Sequence, residues 1–184
     1  MAADHPYGVL TLHRPSNVDD PAVLADLVEA CGALARHLPI VFPVHPRVKS
    51  HLLRQGLLFR TGPDSRLLHH SKGLACVDAL GYLDFIALLS RARLVLTDSG
   101  GVQEETTILG APCLTLRETT ERPVTVTHGT NRVIGTDPGR IVEEALRVLD
   151  DPPRPAGPPP LWDGAAAGRI VGILTGHVGG GRHV

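Results

Sequence analysis

Two glycines follow an apolar run in the segment LTDSGGVQEETTILGAP, which extends from Leu96 to Pro112. Ser99 can cap the helix expected to follow, and Gly100 and Gly101 let an anion approach backbone N–H groups at the positive end of that helix. The segment lacks both the Gly-Lys-Ser/Thr ending of a Walker loop and the GxGxxG dinucleotide fingerprint. The spacing favours phosphate binding by backbone donors; the alternative is a tight turn without a ligand.

Two carboxylates lie one turn farther along the same helix. Glu104 and Glu105 point about 100° apart, so they cannot both face one ligand, whereas Gly101 and Glu105 share a face. A carboxylate at Glu105 can accept hydrogen bonds from a ribose diol, as acidic residues do in nucleotide sites. This position indicates a nucleotide more than free phosphate, although both carboxylates also complement the helix dipole.

Cationic residues follow two other predicted strands. His13 and Arg14 stand after the first strand, and Arg117 and Arg122 stand after the fifth. Because the carboxyl ends of parallel strands meet at one edge of a sheet, we expect these side chains to converge on the glycine turn. Arg binds phosphate oxygens in a bidentate fork, and His can donate to phosphate or transfer a proton. Each is also an ordinary solvated surface residue when taken alone.

The order of apolar segments predicts an α/β fold with a doubly wound, Rossmann-like parallel sheet. Continuous apolar runs alternate with segments of helical period, which is typical of strands buried on both faces. Asp20 and Pro21 are expected to begin one helix as N-cap and first residue. Residues 1–150 are predicted to form the ligand-binding domain, and residues 151–184 a Pro-rich connection, a last helix over 164–175 and a loose tail of the same domain. The predicted strands are GVLTLH, IVFPV, GLACV, RLVLTD, PCLTL and NRVIG, and further helices are predicted over 47–55, 82–92, 101–109 and 140–149.

Composition excludes several classes of function. Lys and Arg total 18 and Asp and Glu 19, with 3% aromatic residues, so a nucleic-acid surface is not expected. The apolar runs are too short for a bilayer and the start lacks a signal peptide, which predicts a cytoplasmic protein without membrane association. Three widely spaced cysteines predict core residues rather than disulfides or a zinc site, and no metal or cofactor is expected. Asp98 is expected to bind backbone N–H groups rather than a metal.

Several motifs, taken together, resemble the non-hydrolysing UDP-N-acetylglucosamine 2-epimerases, specifically their carboxyl-terminal half. They occur in the family's order, and WDGAAAGRI resembles the family's closing DGxAxxRI. The resemblance implies the GT-B architecture, in which two Rossmann-like domains face each other across a cleft and the carboxyl-terminal one holds most of the UDP. The motifs are LHRPSN, FPVHPR, LLSRARLVLTDSGGVQEE and LRETTERPVTVTHGTNRVIGTD.

The resemblance also implies roles for matching positions. Ser99, Gly100 and Gly101 would bind the diphosphate, and Glu105 would bind the ribose. Arg122 and His13 would lie near the phosphates, with His13 as the candidate catalytic residue. Phe85 would lie near the uracil, although an aromatic residue at helical spacing among Ile86, Leu88 and Leu89 is more often part of a core. His45 is ambiguous between strand-end packing and a site contact.

The family inverts C2 of the sugar by eliminating UDP to a bound 2-acetamidoglucal and adding UDP again. The carboxylates associated with that chemistry lie in the family's amino-terminal half, which this sequence does not include. Three hypotheses follow: an epimerase half that works with a separate amino-terminal half or is a truncated gene product, a UDP-sugar-binding domain without catalysis, or a GT-B glycosyltransferase relative. The expected partners are UDP or a UDP-N-acetylhexosamine, with a separate epimerase half or a second copy of the chain as a homodimer.

Overall fold

Short apolar segments form one eight-stranded sheet in the computed structural model, which describes residues 5–57, 59–60, 67–71, 73–154, 157 and 159–179. Its spatial order is β3-β4-β5-β2-β1-β6-β7-β8. The strands are β1 (Gly8–Thr11), β2 (Ile40–Val44), β3 (Phe59–Arg60), β4 (Leu67–Ser71), β5 (Leu74–Asp78), β6 (Leu94–Thr97), β7 (Cys113–Thr115) and β8 (Asn131–Val133).

Six of these strands run parallel, from β5 through β2, β1, β6 and β7 to β8. Counted along the chain among themselves, they have the order 3-2-1-4-5-6 of the Rossmann sheet. Gly8 of β1 lies opposite both Ile40 of β2 and Leu94 of β6. The strand order reverses between β1 and β6, where such sheets bind ligands beyond their carboxyl ends. The predicted doubly wound α/β fold is confirmed.

An antiparallel hairpin extends one edge of the sheet, and the sequence pattern did not predict it. β3 pairs with β4, and β4 pairs with β5 with a register shift between His69 and Ser71. Gly73, at the turn into β5, has a φ of +95°, and a Cβ there would overlap the carbonyl oxygen of Ala35. Edge strands of this kind form through pairing with an existing sheet, so local composition gives a weak signal.

Six helices connect strands of the described chain and two follow β8, and four of the eight begin at a side-chain cap. Asp20 accepts hydrogen bonds from the N–H groups of Ala22 and Val23, with Pro21 as the first helical residue, as predicted. The short helices α1 and α6 were not predicted. The helices are α1 (Pro15–Val18), α2 (Pro21–Leu34), α3 (Pro46–Arg54), α4 (Tyr82–Leu89), α5 (Gly100–Leu109), α6 (Pro123–Thr127), α7 (Pro138–Asp150) and α8 (Ala166–Gly179).

The last helix continues beyond its predicted end. α8 includes residues 176–179, so the expectation of a loose tail from Gly176 is wrong for these four residues, and residues 180–184 lie outside the described part of the chain. α8 also exposes apolar side chains, among them Ile170, Val171 and Leu174, each more than half accessible. No helix among the described residues has the length and hydropathy to cross a membrane.

Apolar clusters cover the two faces of the sheet. The larger cluster includes side chains of α2, α3 and α7, and the smaller one joins Val9 and Val95 to Leu89 of α4 and Val102 of α5. The three cysteines are buried, as predicted, and burial raises the pKa of each thiol to about 12. The helices pack on the faces of the sheet, and the carboxyl ends of the parallel strands form its rim.

Candidate functional site

A buried carboxylate joins the loops that follow β1 and β6, at the switch point of the sheet. Asp98 has no solvent exposure. Its two oxygens accept hydrogen bonds from the backbone N–H groups of His13, at 3.1 Å, and Arg14, at 3.0 Å, and from the side-chain amide of Asn17, at 3.2 Å. Asp98 therefore binds backbone N–H groups, as predicted, and fixes the loop after β1 beside the start of α5.

The imidazole of His13 is oriented by the same carboxylate. Its Nδ1 lies 2.9 Å from Oδ1 of Asp98, while 41% of the side chain remains exposed. A protonated Nδ1 that donates to Asp98 leaves Nε2 as the atom that can meet a ligand. The pair has the arrangement in which a carboxylate holds a histidine for proton transfer at its other nitrogen.

The glycine turn begins α5 in the predicted way. Ser99 is the N-cap, and its hydroxyl accepts from the N–H group of Val102 at 3.4 Å. Gly100 is buried and Gly101 is exposed. A Cβ on Gly100 would lie 2.8 Å from a carboxylate oxygen of Glu121 and 3.7 Å from Nε of Arg122. The missing side chain thus lets the loop after β7 approach the helix start closely.

Two of the predicted arginines meet at one carboxylate. Arg14 and Arg117 each donate to a different oxygen of Glu121, both at 2.5 Å. The pKa of Glu121 is lowered to about 2, first by its own backbone N–H group and then by Arg117 and Arg14. Arg122 instead pairs with Glu104, through Nε at 3.1 Å. The cations therefore converge at the turn, as expected, but carboxylates already neutralise them.

Glu105 lies half-buried on the adjacent turn of α5. Burial raises the pKa of its carboxyl group, against a hydrogen bond from Tyr82 that lowers it; the charge of Glu104 raises it further. Because Glu104 faces Arg122 and Glu105 faces α4, the two carboxylates point in different directions, as their helical spacing required.

Phe85 and His45 have packing and capping contacts. Phe85 is partly buried against the smaller apolar cluster, one turn along α4 from Tyr82. Packing against this cluster accounts for part of the Phe85 ring, and the contact of Phe85 with uracil stays a prediction. His45 is the N-cap of α3, where its Nδ1 accepts from the N–H group of Arg47 at 3.2 Å.

A buried polar network that the sequence did not reveal supports the loop after β7. The side-chain oxygen of Gln103 accepts from Thr120 at 2.5 Å and from Asn131 at 3.2 Å. Thr120 in turn accepts from the backbone N–H of Arg122 at 2.9 Å. Asn131 also donates to Thr125 and accepts from a buried threonine of β7. The network fixes the backbone that carries the arginines.

Two other residues of the site were not predicted from the sequence, for different reasons. Asn17 stands within the LHRPSN motif, but its contact with a carboxylate 81 positions away depends on the fold. Glu121 had a local signal, because it stands four residues after Arg117 and immediately before Arg122 in the charged run RETTER. No group of three or more potential metal ligands occurs among the described residues.

Comparisons with known proteins agree with this geometry. The sequence profile of the UDP-N-acetylglucosamine 2-epimerase family matches residues 1–175. UDP-N-acetylglucosamine 2-epimerase of Escherichia coli K12 is 42% identical over 158 residues, which cover 79% of this chain and 39% of that protein. UDP-2,3-diacetamido-2,3-dideoxy-D-glucuronate 2-epimerase of Pseudomonas aeruginosa is 39% identical over 150 residues, covering 81% and 39% respectively.

A solved structure shows the same similarity. The UDP-GlcNAc 2-epimerase of Methanocaldococcus jannaschii, in complex with UDP-GlcNAc and UDP, superposes with a TM-score of 0.76 at 37% identity. The match covers 93% of this chain and 45% of that one. The chain spans less than half the length of each of these three proteins, which agrees with the predicted correspondence to a carboxyl-terminal half. From the matched profile, the shared fold and the coverage together, the chain belongs to the UDP-N-acetylglucosamine 2-epimerase family.

Proposed function

We propose that this chain binds UDP or a UDP-N-acetylhexosamine and supplies the nucleotide half of a 2-epimerase site. One observation carries the proposal: the glycine turn at the switch point lies among three guanidinium groups, with a carboxylate one helical turn farther on. Backbone N–H groups at Ser99, Gly100 and Gly101 would bind the diphosphate with Arg14, Arg117 and Arg122. Glu105 would accept from the ribose, and Phe85 would contact uracil.

In the proposed reaction, UDP leaves C1 as the proton on C2 is removed. UDP then adds to C1 of the resulting glycal while a proton returns to C2 on the opposite face, which gives the C2 epimer. His13 is suited to assist at the UDP oxygen, because Asp98 holds its Nδ1 and leaves its Nε2 available. Removal of the C2 proton needs a separate base. Asp98 is buried and engaged with the loop after β1, Glu105 is assigned to the ribose, and the resemblance places the family's catalytic carboxylates in the amino-terminal half.

We therefore propose that another domain supplies the base, either from a separate amino-terminal half or from a second copy of this chain. Exposed apolar side chains on α4 and α8 support such an association, including Leu83 at 81% and Leu174 at 60% exposure. We place this activity in the cytoplasm, a proposal that agrees with three buried free thiols. A UDP-sugar-binding domain without catalysis is the alternative.

The sugar is a separate part of the proposal. The E. coli relative is named for UDP-N-acetylglucosamine and the P. aeruginosa relative for a diacetamido glucuronate, at similar identity to this chain. The names of both relatives specify a UDP-linked sugar and epimerisation at C2. The residues described above address only the nucleotide, so UDP binding is the part of the proposal that this chain can test directly.

Titration calorimetry with UDP tests the nucleotide site. We expect Glu105→Ala and Arg122→Ala to weaken UDP binding by roughly tenfold or more, since each removes a charge-assisted contact. Glu29→Ala and Arg36→Ala are matched controls on exposed positions of α2 and its end, and they should bind like the native chain. Equal affinity in all five proteins would contradict the site assignment.

A chelator adds a second arm to this experiment. We expect UDP affinity to remain unchanged on addition of EDTA, because the guanidinium groups can balance the diphosphate charge. A large loss of affinity with EDTA, restored by Mg²⁺, would contradict the proposal that the guanidinium groups balance the diphosphate charge.

A further inference from the structure

The carboxylate of Glu121 lies beside Gly100 and pairs with two of the arginines of the candidate site. One oxygen of Glu121 lies 2.8 Å from the point that a Cβ on Gly100 would occupy, and the two oxygens accept from Arg14 and Arg117. We propose that Glu121 is a specificity-determining residue: its carboxylate is an internal anion that pairs with two of the arginines, and a ligand must carry phosphate to displace it. This inference deepens the proposed function and rests on it for the identity of the natural ligand.

Carboxylate and phosphate cannot occupy the position beside Gly100 together. Gly100 lacks a side chain, so the start of α5 is open to close approach on that side, and the carboxylate of Glu121 fills this space. The guanidinium groups of Arg14 and Arg117 both point at the same carboxylate. A phosphate brought to these donors would lie against a like charge, so Glu121 competes with the ligand for the two guanidinium groups.

Displacement is feasible because the ion pairs are near the surface. The side chain of Glu121 is 40% exposed, and that of Arg14 is 36% exposed. Exposed ion pairs contribute little free energy, since water solvates the separated charges well. The loop backbone can stay in place during the exchange, because Thr120 holds the N–H group of Arg122 and Gln103 holds Thr120.

Charge makes this exchange selective. A diphosphate carries more negative charge than the carboxylate that it replaces, and it can accept from several donors at once. Uridine has no group that can replace the carboxylate, so it gains nothing from the arginines. With a pKa of about 2, Glu121 stays ionised at neutral pH, and its competition with phosphate is therefore constant there.

The prediction is a gain of affinity on removal of a charge. If the competent state requires displacement of Glu121, the apparent dissociation constant is raised in proportion to the rarity of that state. Glu121→Gln weakens both ion pairs while keeping the size of the side chain. We expect this variant to bind phosphate-bearing ligands on the order of 3–10-fold more tightly, as expected for loss of two exposed pairs.

The experiment titrates the native chain, Glu121→Gln and a control with inorganic pyrophosphate, UDP and uridine, without divalent cations. Glu118→Gln is the matched control, because Glu118 is exposed on the same loop but faces Gly135 instead of Gly100. Support requires tighter binding of pyrophosphate by Glu121→Gln alone, with the affinity for uridine unchanged. Thermal unfolding of all three proteins verifies that they are equally folded.

Pyrophosphate separates this inference from the proposed function. If pyrophosphate binds Glu121→Gln more tightly than the native chain but UDP binds neither, the nucleotide proposal fails and the role of Glu121 stands. If pyrophosphate binds Glu121→Gln no better than the native chain, or binds neither, the role of Glu121 is wrong. An equal gain in Glu118→Gln would also overturn it, because general loss of negative charge would then explain the effect.

Discussion

The Nδ1 atom of His13 and the Oδ1 atom of Asp98 lie 2.9 Å apart, across the switch point between β1 and β6. The same carboxylate accepts from the backbone N–H groups of His13 and Arg14 and from the side chain of Asn17. One buried charge thus orients the candidate catalytic histidine and also fixes the loop that carries it. Orientation of the imidazole and stability of the loop are therefore linked through Asp98.

Asp98→Asn should destabilise the chain by roughly 2–3 kcal/mol, because an amide nitrogen would face donors that now meet a carboxylate oxygen. Urea unfolding measures the change. Asp19→Asn is the control, since Asp19 pairs with Arg47 at the surface and should lose less than about 1 kcal/mol. A loss at Asp98 no greater than that at Asp19 would contradict its role as a buried acceptor.

The sequence predicted the parallel part of the fold because strands buried on both faces appear as continuous apolar runs. β2, for example, coincides with the predicted segment IVFPV. The glycine turn was also visible, since a strand, a cap and two glycines occur in direct succession. The β3–β4 hairpin was not visible, because pairing with β5 rather than an apolar period determines it.

The ion pairs within the site were harder to predict from the sequence than the position of the site. Convergence of Arg14, Arg117 and the glycine turn follows from strand ends meeting at one rim. Their shared contact with Glu121 depends on how the loop after β7 folds over Gly100, which is a tertiary property. For the same reason, the contact of that loop with Gln103 leaves no periodic pattern in the sequence.

Glu105 should make stability depend on pH. Folding raises the pKa of its carboxyl group through burial, so the folded state holds the proton more tightly than the unfolded state. The stabilising contribution of protonated Glu105 is present below its ordinary pKa of 4.5 and is lost as pH rises through the raised value. The free energy of unfolding of the native chain should therefore fall over that interval relative to Glu105→Gln.

Urea unfolding of both proteins at intervals from about pH 4 to about pH 8 gives this difference. Glu29→Gln, at an exposed position of α2, is the matched control and should parallel the native chain. A difference between Glu105→Gln and the native chain that grows in the opposite direction, with the native chain gaining stability as pH rises, would show that the contact with Tyr82 outweighs desolvation.

Gln103→Met should cost about 1–2 kcal/mol, because Thr120 and Asn131 would lose a buried acceptor. The loss is limited, since the Nε2 atom of Gln103 has no partner among the described residues and its removal leaves no acceptor without a donor. The variant should also bind UDP more weakly, because Thr120 holds the backbone of Arg122. Unfolding and titration are compared with Gln55→Met, at the C-cap of α3. A normal UDP affinity in a destabilised Gln103→Met would limit the network to a structural role.

The final prediction concerns proton exchange at C2 of UDP-N-acetylglucosamine in D₂O, followed by proton NMR. The chain by itself should introduce little or no deuterium, although it should bind the nucleotide. Asp98 is buried and engaged with His13, Arg14 and Asn17, and the resemblance assigns the family's catalytic carboxylates to the amino-terminal half, so we do not expect this chain to supply the base. General acid and base groups contribute about 10²–10⁴-fold each, so a site without its base should be near the background rate. Addition of the amino-terminal half of a related epimerase should restore exchange, and His13→Ala should abolish the restored activity while Arg36→Ala keeps it. Deuterium entering C2 with this chain alone, and absent with His13→Ala, would show instead that its own residues complete the catalytic site.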